Sequence, residues 1–143
     1  MAYAQSRHSQ RLQFMSAGFH APGGRPADPT MVEVAAKERV DLSSWKSCVL
    51  DTTMVAEAEI ILAMELAHLD RLLQEHPDAR GKAFLLGSAI GATKTEPNLE
   101  VPDPYGRDRQ TYVDVCRQVM RAIDAWIPAP TSTPASAIAD PRT

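Results

Sequence analysis

The chain has 143 residues, enough for one domain with its own core. Hydrophobic residues make up 44% and charged residues 23%, and the net charge of −3 leaves no basic excess for a phosphate backbone, which excludes a general nucleic-acid binder. No apolar run approaches the about 18 residues of a membrane span, and "MAYAQSRHSQRLQ" lacks the apolar stretch of a signal peptide. A cytoplasmic protein with reduced Cys48 and Cys116 is expected.

In chain order, residues 2–11 read as a short polar helix, and "LQFMSAG" (12–18) as a strand. "FHAPGGRPADP" (19–29) is a loop by its prolines and glycines. Asp28-Pro29 supplies an N-cap with proline at the first helical position, and Met31, Val34 and Ala35 follow at helical spacing, predicting a helix over 29–39. Residues 40–51 are mixed, extended and then turning, and Asp51 can cap a short helix over 52–58. "EIILAM" (59–64) and "KAFLLGSA" (82–89) have the length and composition of strands buried on both faces. Between them, Leu66, Leu69, Leu72 and Leu73 share one face of a helix over 65–77.

Residues 90–108 form a long irregular loop. The clearest helix spans 108–127, capped by Asp108, with Tyr112, Val115, Val119, Ala122, Ile123 and Trp126 at three- and four-residue spacing. From Pro128 the chain is rich in Pro, Ser, Thr and Ala, so a domain over 1–127 and a disordered tail over 128–143 are expected. Strands alternating with helices predict an α/β fold with a mostly parallel sheet. Its site would lie beyond the carboxyl ends of the strands, among loops 16–26, 45–52, 64–68 and 88–108.

The last of these loops holds "VPDPYGRD" (101–108), with Asp103 between two prolines. A carboxylate fixed this way either shapes the turn or is held out as a general acid, and the residues alone favour the turn. The four histidines show no zinc spacing, and no glycine-rich phosphate loop or nucleophile elbow occurs. Cys116 falls mid-helix on the apolar side and reads as core; Cys48, next but one to Lys46, has nothing to orient it.

The ordered set "SAG", "PADPTM", "VDLSSWKSCVLD", "EIILAME", "HLDRLLQEHPDAR", "KAFLLG" and "VPDPYGRDRQTYVDVCRQVMRAIDAW" resembles the low-molecular-weight protein-tyrosine phosphatase family over residues 1–127. The resemblance implies a three-layer αβα fold with a small parallel sheet. It implies phosphate monoester hydrolysis through a phosphocysteine, with no cofactor and no metal. Asp103 takes the place of the general acid that protonates the leaving tyrosine oxygen and then acts as base on the hydrolytic water. Tyr105 and Trp45 match positions that wall the substrate, and Ser16 a serine supporting the phosphate loop. Partners would be phosphotyrosine proteins, a bacterial tyrosine kinase among them.

The departures are as informative. The family nucleophile is a cysteine followed by five residues and an arginine, in a loop whose amides cradle the phosphate and lower the thiol pKa. Here Cys48 is followed six positions on by Met54, and Cys116 by Arg121 one position too early. "MAYA" matches the family segment just after that loop, so the central first strand and the cradle are expected to be missing from this chain. Where the family often carries histidine, the chain has Trp45. Three readings follow: a shortened phosphatase chain, inactive as it stands; a non-catalytic phosphatase-like interaction protein; and, ranked last for want of a cysteine relay, an arsenate reductase. A lost central strand also predicts low stability, or a partner strand in the gap, because each unpaired buried backbone group costs about 1–3 kcal/mol.

Overall fold

The computed structural model describes residues 1–8, 12–20, 22–91 and 99–128. The expected tail over 128–143, apart from Pro128, and the middle of the 90–108 loop lie outside them. Among the described residues five α-helices and two strands follow in order: α1 (Ala2–His8), α2 (Pro29–Lys37), α3 (Thr52–Glu57), β1 (Ile61–Ala63), α4 (Leu66–Glu75), β2 (Ala83–Leu85) and α5 (Arg109–Trp126).

Local chemistry starts most of these helices. Asp28 accepts from the Thr30 and Met31 amides at 2.9 and 3.1 Å, with Pro29 opening α2. Asp51 accepts from Met54 N–H and Asp108 from Thr111 N–H, each at 2.8 Å. The end of α2 is a Schellman turn: Arg39 takes a left-handed φ of 61°, and the Arg39 and Val40 amides reach back to Ala36 and Ala35. Helix α4 is different. Its N-cap residue Glu65 makes no capping bond of its own.

The two strands pair in parallel, with Ile61 opposite Ala83 and Ala63 opposite Leu85. This α/β architecture with a small parallel sheet was expected, but both strands are shorter than their apolar runs. Residues 86–89 leave the ladder as a 3-10 turn. Nor are both faces closed, since β1 is half-buried and Phe84 is 39% exposed. The expected strand over 12–18 does not form. Among the described residues only Gly18 of this stretch pairs, in a single parallel bridge to Val49. Phe14 packs on the core while Leu12 and Met15 are exposed, and no ladder among the described residues fixes the register.

Helix α5 is the hub. Val115, Ala122 and Ile123 pack with Ala4, Leu86 and Val101, while Tyr112 and Cys116 pack with Val34, Ala35 and Val40 of α2 and its turn. Val55, Leu72 and Ala79 form a separate core under α3 and α4. Trp126 donates its indole N–H to the Leu86 carbonyl at 2.8 Å and leans on Phe84.

Candidate functional site

The carboxyl end of β1 leads directly to the loop that carries Asp103. The Val101 amide donates to the Met64 carbonyl at 2.8 Å, one residue beyond the strand. Glu100 accepts from the Leu66 amide at 2.7 Å, and its own carbonyl accepts from the Gln118 side chain of α5. Val101 is buried, but the chain then emerges: Pro102 and Asp103 are exposed. Asp103 accepts from the Tyr105 amide at 3.0 Å, the Arg107 amide closes onto the Pro104 carbonyl, and Gly106 supplies the positive φ of 73° that the turn needs. The loop ends at Asp108. Thr111 donates to that carboxylate through its amide first and then its hydroxyl, holding its pKa below the usual range.

Asp103 stands at the rim of a mainly apolar cavity of about 420 Å³. Val115, Cys116 and Met120 of α5 form one side, Met31 and Ala35 of α2 another, and Met64, Glu65 and His68 the third. Met1 reaches into it, and burial lowers the pKa of the Met1 amino group. Glu65 and His68 fall in the 64–68 segment expected to wall the site, but neither carries a motif that singles it out, and they share the lining with Asp103 only through the fold.

The cavity does not gather the other expected residues. Tyr105 is 76% exposed and lies off the lining, as does Trp45, whose indole donates to the Asp41 carbonyl at 3.1 Å. Ser16 is exposed, two residues before the Gly18 bridge. Burial, and then Glu38, push the Cys116 thiol up, which disfavours thiolate. Cys48 is exposed, with its sulfur 3.4 Å from the Val49 carbonyl oxygen and 4.0 Å from the Met54 sulfur. Among the described residues no cluster of His, Cys, Asp and Glu could hold a metal.

The model of the low molecular weight phosphotyrosine protein phosphatase family matches residues 1–135. The chain belongs to that family. Within it, the chain is 32% identical to a probable low molecular weight protein-tyrosine-phosphatase EpsP of Ralstonia nicotianae, covering 90% of this chain and 84% of that protein. It is also 32% identical to the low molecular weight protein-tyrosine-phosphatase Wzb of Escherichia coli, covering 86% and 80%. Among solved structures, Vibrio vulnificus Wzb in complex with benzylphosphonate aligns with a TM-score of 0.77 and 31% identity over 87% of this chain and 84% of that one. No helix of the described residues is long and apolar enough to cross a membrane.

Proposed function

We propose that this chain carries the acid half of a phosphotyrosine-hydrolysing site, with Asp103 as the group that protonates the leaving phenolate oxygen. The observation that carries the reading is Asp103 itself, exposed at the rim of an apolar cavity on an anchored loop beyond β1. In the first step a thiolate takes the phosphoryl group, the P–O bond to the phenol breaks, and the Asp103 proton goes to the departing oxygen. In the second, water attacks phosphorus, Asp103 takes its proton, and the thiolate leaves. The substrate class is a phosphotyrosine protein. Benzylphosphonate, the molecule in complex with the Vibrio relative, is a mimic of an aryl phosphate, which supports that substrate class.

Neither Cys48 nor Cys116 supplies that thiolate, so residues 1–143 alone are expected to hydrolyse p-nitrophenyl phosphate at the background rate. Turnover abolished by Cys48→Ser or Cys116→Ser would show the nucleophile to be misassigned. The acid role is tested in a longer chain, if in-frame codons upstream of Met1 encode an apolar strand and a Cys-x5-Arg loop. There Asp103→Asn should lower kcat by about 10²–10⁴-fold on phenyl phosphate, and less on a better leaving group. An unchanged kcat would sink the assignment. A second reading, a non-catalytic interaction protein of the same family, is favoured by the lack of any Cys-x5-Arg in the 143 residues. A stop codon directly upstream of Met1 would support it.

A further inference from the structure

Helix α4 is capped from a distance. Its first turn has amides without intrahelical acceptors, and its own N-cap residue leaves them unserved. The acceptor that reaches the Leu66 amide is the carboxylate of Glu100, 34 positions on in the chain. A carboxylate there also meets the positive end of the helix dipole. The same residue's carbonyl is held by Gln118 of α5, and the next amide, Val101, by Met64 at the end of β1. Strand, α4 and α5 therefore converge on residues 100 and 101. From there Asp103 is two residues away, and Pro102 between them has a fixed φ. Where Glu100 is held sets where the Asp103 carboxylate can stand.

We propose that Glu100 is a positioning residue for Asp103, fastening the acid loop to the amino end of α4. This rests on the reading of Asp103 as the acid, but its test does not use turnover. The Tyr105 amide proton, hydrogen-bonded to Asp103, reports that carboxylate: its rate of exchange with water, read by NMR, is set by how constantly the bond is made.

Three variants of the 143-residue chain decide the matter. Glu100→Ala removes the acceptor. Leu66→Pro removes the donor while keeping Glu100, at a first helical position where proline is tolerated and after a residue, Glu65, that is already extended. Glu100→Gln keeps an uncharged acceptor. The Tyr105 amide exchange rate is expected to rise at least twofold in the first two and to stay within about a quarter of the wild-type value in the third, with amides of α2 unshifted in all. An unchanged rate in Glu100→Ala and Leu66→Pro overturns the proposal. So does a rise accompanied by loss of the α2 signals, which marks general unfolding. Should Glu100→Ala fail to fold, Leu66→Pro carries the test. Failure here leaves the leaving-group test of Asp103 untouched, and the reverse also holds.

Discussion

Gly87 offers the sharpest perturbation of the acid loop without touching it. A Cβ built on Gly87 would stand 2.2 Å from the Leu99 carbonyl oxygen and 3.0 Å from its carbon, where ordinary contact begins at 3.4 Å. Both obstacles are backbone, so the alanine methyl cannot be accommodated by a rotamer change. Leu99 would have to withdraw by about 1 Å, carrying Glu100 with it. Overpacking of this kind costs about 1–3 kcal/mol, and a weakened cap on α4 adds about 1 kcal/mol. With a urea m-value of about 1–2 kcal/mol/M, Gly87→Ala should lower the midpoint by about 1–4 M. Trp126 fluorescence is the natural probe, because its indole bonds to Leu86 next door. Gly23→Ala is the control: nothing lies within 4 Å of its Cβ, so it should change stability by less than about 0.5 kcal/mol. A Gly87→Ala midpoint within about 0.3 M of wild type would refute the close approach of residues 87 and 99.

Lys82 donates to the Val55, Ala58 and Ala56 carbonyls at 2.6, 2.9 and 3.4 Å, closing the carboxyl end of α3; Lys82→Met should cost about 1–3 kcal/mol in urea unfolding, and a loss below about 0.5 would show that water serves those carbonyls equally well. The depressed pKa of Asp108 means that its contribution is fully present above the unfolded value near 4 and is lost as pH falls through the folded value. Unfolding midpoints of wild type and Asp108→Asn should therefore differ at pH 6 and converge as pH drops below about 4; a constant gap would exclude the carboxylate as cause. A disulfide-exchange thiol reagent at pH 8 should label exposed Cys48 at once and Cys116, 9% exposed with its pKa raised by burial, only as the protein opens. Equal rates would contradict the packing of α5.

What could be read in advance was whatever a few neighbouring residues decide. Asp28, Asp51 and Asp108 each cap within three positions, and the leucine spacing of α4 is local too. Pairing partners are not local. "LQFMSAG" has a strand's composition but among the described residues finds only the Gly18–Val49 bridge, and "KAFLLGSA" leaves its ladder after three residues. The cap on Leu66 was unreadable for the same reason, since nothing near Glu65 announces that Glu100 will serve it. Asp103 was visible as a fixed carboxylate between prolines. Its cavity was not, because Met31, Glu65 and Cys116 meet there only once three helices have packed.

The hydroxyl of Tyr3 meets both carboxylate oxygens of Asp124 at 2.8 and 2.9 Å, and Arg7 joins them at 3.4 Å. Two positions 121 apart are thus in contact, and α1 is fastened to the last turns of α5. The same stretch of α5 holds Leu86 through the Trp126 indole, so loosening α1 would be felt at the residues that follow β2.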